Sequence, residues 1–334
     1  MKQRLVAIDI LRLIAAFFVV YIHTHQTLPE VLSTLSRMAV PLFFAISGFF
    51  FFSKEDTKLL RKSLKAIKKL TFYYLLSLLL FAVYGLYQCS LTQDYSPFHF
   101  SITKVFNLIA RCTSPIMPYG FHLWFLVALI EVYLLFYILC HKVKYNKEKN
   151  IRYALIISIV SYYVVMVLVK GYIPVLFQTR TLGIIFSSVL FFATPFFLMG
   201  YYIAQNKNKL YKIKKNRLII GIISLYLVQL IEYQIVGDKT YYFSSIPFIF
   251  LILIYALQSN PSSKIALVTS KLGQDYSLLI YILHPIFVPI LKDIIAPELL
   301  VVGVFVVTLV FSIIIKTLYS QSLKLIETHI LNKS

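Results

Sequence analysis

Apolar segments that are long enough to cross a membrane recur along the whole chain, and shorter polar segments separate them. A helix needs about 20 mostly apolar residues to cross a hydrocarbon core of about 30 Å. On this basis the sequence predicts ten spans, near residues 5–25, 37–53, 70–90, 121–140, 153–170, 182–204, 218–236, 242–258, 275–293 and 299–317. We therefore predict an all-α, polytopic membrane helix bundle that forms one domain, 1–317, followed by a cytoplasmic tail, 318–334, which is a possible stub of a fused domain.

Breaks within this pattern refine the prediction. Pro174, Pro195, Pro247 and Pro285 mark positions where helices are expected to kink or end, because proline lacks the backbone N–H that a helix interior requires. The longest outer segment, 91–120, contains the apolar sequence FNLIA, which is expected to form a short helix at the outer face. The first apolar segment carries charges and lacks a cleavage site, so it is interpreted as a retained helix rather than a signal peptide.

Basic residues are concentrated in alternate polar segments. Segments 54–69, 141–152 and 206–217 contain seven, five and six Lys or Arg residues, whereas the intervening segments contain at most two each. Basic loops remain on the cytoplasmic side of a membrane. This alternation predicts that the three segments and both termini are cytoplasmic, and it explains the formal charge of +20 without nucleic-acid binding.

Composition supports the same class. The chain is 59% hydrophobic and has a mean hydropathy of +0.80, which is too apolar for a soluble domain. We expect a multi-pass protein of the cell membrane, in contact with membrane lipid. Cys89, Cys112 and Cys140 lack the spacing of a metal site, and no metal is expected. Cys89 and Cys112 could form a disulfide, although two independent thiols are favoured because Cys140 is left unpaired.

The first predicted span contains the clearest candidate chemistry. Asp9 and Arg12 have the i, i+3 spacing of a helical ion pair, and Arg12 and His23 are eleven residues apart, which places them on one helix face with about 16 Å between their Cα atoms. Ionisable residues inside a membrane are costly and commonly mark a functional path. His23 is a candidate catalytic base, with Arg12, oriented by Asp9, as a fixed positive charge. The alternatives are a packing salt bridge and a histidine at the outer interface.

Two further groups of residues are candidates for binding. A basic cluster stands where the third span leaves the cytoplasm and suits the phosphates of a nucleotide-type donor, although such clusters also set topology or contact anionic lipid; its members are Arg61, Lys65, Lys68 and Lys69. Polar residues in three later apolar segments are candidates for substrate binding: Ser47, His122, Trp124, Glu131, Tyr281 and His284. Ser47 with Gly48 could instead permit close helix packing, and Trp124 could be an interfacial anchor.

The order of these segments resembles the membrane acyltransferase-3 family. The resemblance covers the whole chain and rests on AIDILRLIAAFFVVYIH, PLFFAISGFFF, a basic entry to the third span, HLWFL and YSLLIYILHP. It implies a ten-helix domain that moves acyl groups, often acetyl from cytoplasmic acetyl-CoA, to extracytoplasmic hydroxyls such as those of cell-envelope glycans. It also implies that His23 is the catalytic base and that Arg12 positions or contacts the donor.

The chain departs from the family pattern at the third span, where Lys65 and Lys68 replace a frequent arginine pair and Thr71 stands where proline is common. No appended SGNH-type hydrolase domain is expected. We expect an enzyme, a membrane-embedded O-acyltransferase.

An alternative arises because some members are fused to cytoplasmic racemases, as in the membrane-bound serine racemases of vancomycin resistance. In that interpretation the chain binds or admits L-serine for a fused racemase, and Arg12 faces the carboxylate. An inactive scaffold is the third possibility. A tunnel open on both faces and long enough for a pantetheine arm would favour the enzyme, whereas a small occluded midplane pocket near discontinuous helices would favour transport. Arg12 and His23 in unconnected cavities would argue against a one-site mechanism and favour the binding module.

Overall fold

The computed structural model describes residues 5–24, 29–98, 120–142, 147–173, 189–239 and 242–331, and the regular secondary structure within them is helical throughout. The predicted all-α fold is confirmed. The helices are α1 Val6–Thr24, α2 Glu30–Ser36, α3 Ala39–Phe51, α4 Asp56–Thr92, α5 Trp124–Lys142, α6 Lys147–Ser161 with a π-helical continuation Tyr162–Tyr172, α7 Val189–Gln205, α8 Lys215–Val236, α9 Ser245–Gln258, α10 Lys264–Lys292 and α11 Pro297–Leu331.

Each of the ten predicted spans overlaps a helix or a pair of consecutive helices in the described residues. Seven helical segments are long and apolar enough to cross a membrane, and α9 is a shorter apolar helix. The chain is therefore a polytopic membrane helix bundle. Residues 182–188 of the predicted sixth span, the FNLIA sequence, Cys112 and Pro174 lie outside the described residues.

The basic segment 54–69 was expected to be a loop, and this is wrong. Helix α4 begins at Asp56 and continues without interruption to Thr92. The segment contains no glycine or proline and is rich in Lys and Leu, which favour helix. At 1.5 Å per residue, α4 is about 55 Å long, so about half of it extends beyond a 30 Å hydrocarbon core.

The structure also bears on other predicted boundaries. Helix α11 continues to Leu331 and so includes most of the predicted tail. Helices α7 and α10 continue through Pro195 and Pro285, so neither proline ends its helix, and a kink at these positions stays a prediction. Pro247 lies in the first turn of α9, where its missing N–H has no intrahelical partner to lose.

The face of α4 away from the bundle identifies the surface available to lipid. Phe72, Leu75, Leu79, Val83 and Leu86 recur every three or four residues and are each at least half exposed. A continuous apolar stripe of this length would be unfavourable in water but is the normal surface of a membrane helix. The structure is thus consistent with lipid, rather than water, around this part of the bundle.

Close backbone contacts hold the helices that carry the candidate residues. A Cβ atom on Gly273 of α10 would lie 1.9 Å from the carbonyl oxygen of Asp9 in α1, and one on Gly48 of α3 would lie 1.9 Å from that of Phe197 in α7. Only glycine fits at such approaches, which are common between membrane helices. The α1–α10 contact brings the helix that carries Arg12 and His23 against the helix that carries Tyr281 and His284.

Candidate functional site

A cavity of about 280 Å³ lies where α1, α3, α4, α5 and α10 meet. Its polar lining comes from all five helices: Arg12, Ser47, Lys69, Tyr133, Gln274, Ser277 and Tyr281. The remaining lining residues are apolar: Phe43, Ala66, Leu70, Phe125, Leu129 and Leu278. Because two of its side chains are cationic and the described lining contains no carboxylate, the cavity suits an anionic or strongly polar ligand.

The ion pair predicted within α1 is confirmed. The guanidinium of Arg12 donates to a carboxylate oxygen of Asp9 over 3.1 Å. Asp9 is buried, and the guanidinium carbon of Arg12 lies 4.5 Å from the centroid of the Phe50 ring. Packing and function are not exclusive here, because a buried pair that fixes the arginine also directs its charge towards the cavity.

The four basic residues predicted to contact a donor separate into two groups. Lys69 lines the cavity, and its ammonium lies 5.8 Å from the centroid of the Tyr73 ring. Arg61, Lys65 and Lys68 are exposed on α4 and are not among the described lining residues. They share helix α4 with the lining residues Ala66 and Lys69, and a donor contact for them stays a prediction.

Three histidines meet at the other end of α1. The ring of His23 is 4.9 Å from that of His284, and the ring of His122 is 5.5 Å from that of His284, measured between centroids. His122 and His284 are fully buried, whereas His23 is partly exposed and also contacts the ring of Phe121. The sequence predicted each histidine as a candidate, and the structure brings all three together.

Backbone carbonyls accept hydrogen bonds from this cluster. His122 Nε2 lies 3.0 Å from the carbonyl oxygen of Ile282, so it carries the proton and donates. His122 Nδ1 is then an acceptor, and it has no hydrogen-bond partner among the described residues. A buried acceptor without a partner is unfavourable unless a donor arrives, which makes this nitrogen a candidate contact for a substrate.

Tyr281 belongs to both regions. Its ring lines the Arg12 cavity, and its hydroxyl donates to the backbone carbonyl of His122. Its ring centroid is also 5.6 Å from that of His122 and 5.2 Å from that of Phe125. Tyr281 and Phe125 therefore form the wall between the cavity and the histidine cluster.

The wall corrects one expectation. A single space holding both Arg12 and His23 was expected of an enzyme, but His23 is not among the described residues that line the cavity. The ring of Tyr281, packed against that of Phe125, contacts both regions and stands between them. This separation argues against a one-site mechanism and favours the binding alternative.

Of the other predicted binding residues, Ser47 lines the cavity, and Trp124 and Glu131 are not among its described lining residues. Ser47 lines the cavity and hydrogen-bonds with Tyr133, so close packing at this point is provided by Gly48. Trp124 packs on the rings of Phe44 and Phe192 and is not one of the described cavity residues. The partly buried Glu131 is likewise not a described lining residue. Substrate contacts for Trp124 and Glu131 stay predictions.

The sequence contained a signal for residues that the prediction omitted. Gln274, Ser277, Tyr281 and His284 follow one another at spacings of three, four and three residues, which is the period of one helix face. The first three line the cavity and the fourth joins the histidines. Tyr133, also omitted, follows Glu131 within an apolar run and has no comparable periodic signal.

Comparison with known proteins agrees with this arrangement. The chain matches the family described as an acyltransferase domain over residues 5–317, and it therefore belongs to the acyltransferase-3 family of membrane acyltransferases. It is also similar to an amino-acid racemase from Enterococcus faecalis, with 27% identity over 299 residues, which cover 82% of this chain and 39% of that protein. The chain thus spans about two fifths of the length of this relative. No solved structure is significantly similar to it.

Proposed function

We propose that the chain is an O-acyltransferase of the cell membrane that moves an acetyl group from cytoplasmic acetyl-CoA to a hydroxyl on the outer side. The observation that supports this best is that the Arg12 cavity and the histidine cluster are built on the same pair of helices, α1 and α10, and share Tyr281. A cationic inner cavity and an outer base are the two parts that transfer across a membrane requires.

The inner cavity suits the donor. Lys69 stands between the exposed basic part of α4 and the cavity, so phosphates held by Arg61, Lys65 and Lys68 would leave the pantetheine arm directed towards Arg12. Arg12 and His23 are about 16 Å apart along α1, which is too far for both to act on one atom. Arg12 would therefore hold the donor rather than stabilise the reacting oxygen.

The outer cluster suits the acceptor. His23 would take the hydroxyl proton while the acceptor oxygen forms a bond to the thioester carbonyl carbon. The carbon–sulfur bond then breaks, and the departing CoA thiolate recovers the proton from the His23 imidazolium. The products are an acetyl ester, free CoA thiol and neutral His23. The proposed reaction uses acetyl-CoA as a co-substrate and no metal ion.

The aromatic wall sets a condition for this reaction. The acetyl group, still bound to CoA as the thioester, must reach His23 from the Arg12 cavity. The side chains of Tyr281 and Phe125 therefore have to separate during the cycle. Rotation of an aromatic side chain is a small change compared with movement of a helix, and the proposal needs no rearrangement of α1 against α10.

Transfer can be measured in inverted membrane vesicles, in which the cytoplasmic face is outside. Acetyl-CoA radiolabelled in the acetyl group is added, and ester-linked label is measured in the envelope glycan on the luminal side. We expect label with this chain and none with vesicles from vector-only cells. Absence of label in vesicles that contain folded protein would contradict the proposal.

A second function has its own support. The relative is named an amino-acid racemase, and a cavity of about 280 Å³ is near the lower limit of about 300 Å³ for small-molecule pockets. In this alternative the cavity binds L-serine, with Arg12 facing the carboxylate, and serves a fused racemase linked to vancomycin resistance. Saturable uptake of radiolabelled L-serine into right-side-out vesicles, without acetyl transfer, would favour it.

A further inference from the structure

The proline after His284 determines which nitrogen of that histidine carries a proton. In an α-helix each N–H bonds to the carbonyl four residues earlier, so Pro285, which has no N–H, leaves the carbonyl of Tyr281 without its helical donor. His284 Nδ1 lies 2.8 Å from this oxygen and 3.1 Å from the carbonyl oxygen of Ile280. A carbonyl can only accept, so Nδ1 of His284 is protonated and Nε2 carries the lone pair.

The same reasoning assigns His23. Its Nδ1 lies 2.8 Å from the carbonyl oxygen of Val19 and is therefore protonated. This nitrogen is also 3.2 Å from His284 Nε2, so one N–H is shared between the carbonyl and the lone pair of His284. The nitrogen of His23 that remains without a proton is Nε2. Because this histidine is partly exposed, Nε2 is the atom available to a substrate.

We infer that His284 is a positioning residue that holds His23 in the form whose Nε2 is a free base, and that Pro285 in turn holds His284. The inference rests on the proposed function. When His23 accepts the hydroxyl proton on Nε2, its positive charge is shared through Nδ1–H with the neutral imidazole of His284. A carboxylate at position 284 would place a buried charge inside the membrane, which is costly. His284 is buried and neutral, so it accepts the hydrogen bond without that cost.

The assignment is tested first without activity. In protein labelled with ¹⁵N-histidine and studied in detergent micelles, protonated and unprotonated ring nitrogens give separate NMR signals, and His23→Ala identifies the signals of His23. We expect wild-type His23 to be protonated on Nδ1 alone. In His284→Phe, which keeps a ring but removes the acceptor, the signals should move towards a mixture of both forms.

Kinetics provides the second readout. Loss of one hydrogen bond to the base should lower kcat about tenfold, and KM for acetyl-CoA should not change because the donor cavity is intact. His284→Gln can place an oxygen near the original Nε2 and should recover part of the loss. Pro285→Ala returns an N–H to the Tyr281 carbonyl, which then competes with His284, and should give a smaller shift in the same direction.

The NMR and kinetic results distinguish the positioning role of His284 from the acyltransferase proposal. Wild-type signals and wild-type kcat in folded His284→Phe would overturn the role of His284 and leave the acyltransferase proposal intact. The expected NMR signals in a wild-type protein that transfers no acetyl would overturn the acyltransferase proposal instead. If His284→Phe does not fold, the His23 signals in Pro285→Ala decide: a shift towards both forms would support the inference, and signals identical to those of the wild type would contradict it.

Discussion

The inner and outer halves of the α1–α10 pair are built on different physical principles. Around Arg12 the charges remain, the cavity is open, and a buried carboxylate balances the guanidinium. Around His23 the groups are three histidines, the packing is tight, and main-chain carbonyls fix the rings. The inner region resembles a ligand-binding site, and the outer region resembles a site for proton transfer.

This difference follows from what each step would need. A phosphate-bearing or carboxylate ligand requires a cation that stays charged, and arginine satisfies this even where it is partly buried. A base needs an unprotonated nitrogen near neutral pH, which a histidine among carbonyls and aromatic rings retains. The distance of about 16 Å along α1 weakens the repulsion between the Arg12 guanidinium and a protonated His23.

The largest effect is expected from removing the base. His23→Ala should lower kcat for acetyl transfer by about 10²- to 10⁴-fold, the range for loss of a general base, while acetyl-CoA binding in the inner cavity is retained. Thr24→Ala is the matched control, because within the described part of the chain its hydroxyl bonds only to the carbonyls of Val20 and Tyr21 in its own helix. Comparable transfer rates in folded His23→Ala and Thr24→Ala would show that the outer region is not the catalytic one.

A smaller effect is expected from separating the helices that carry both regions. Gly273→Ala places a methyl group 1.9 Å from the Asp9 carbonyl oxygen and should destabilise the bundle by about 1–3 kcal/mol. The measurement is thermal unfolding of purified protein in detergent. Gly303→Ala is the control, because its new methyl meets only the mobile end of the Ile295 side chain. Equal unfolding temperatures for the two variants would contradict the tight α1–α10 contact.

The smallest effect is expected from the rim of the inner cavity. Lys69→Ala should raise KM for acetyl-CoA about two- to fivefold, less at high salt, because an exposed ion pair contributes at most about 1 kcal/mol. Lys65→Ala, which removes a proposed phosphate contact outside the described lining, should raise KM by a similar amount. An unchanged KM in both variants would contradict a donor path along the basic part of α4.

Hydrophobic pattern and charge predicted the bundle well because both act over whole segments. They did not predict that α4 continues through its basic part, since topology signals report which side a segment occupies and not its conformation. The Asp9–Arg12 pair followed from spacing within one helix.

Contacts between helices were harder to predict from the sequence. The histidine cluster depends on how α1, α5 and α10 meet, and no local signal gives the angle or register of that packing. Gln274 and Ser277 could have been found from their helical period with Tyr281 and His284. The wall at Tyr281 could not have been predicted from the sequence, because an aromatic residue in an apolar run gives no indication of which space its side chain fills.

The central claim is that the Arg12 cavity holds the acyl donor. Binding of acetyl-CoA and of L-serine to the purified chain, measured by isothermal titration calorimetry with Arg12→Ala beside the wild type, tests it most directly. We expect saturable acetyl-CoA binding that Arg12→Ala weakens strongly and His23→Ala leaves unchanged. Binding of L-serine that depends on Arg12, with no binding of acetyl-CoA, would contradict the claim and favour the amino-acid site.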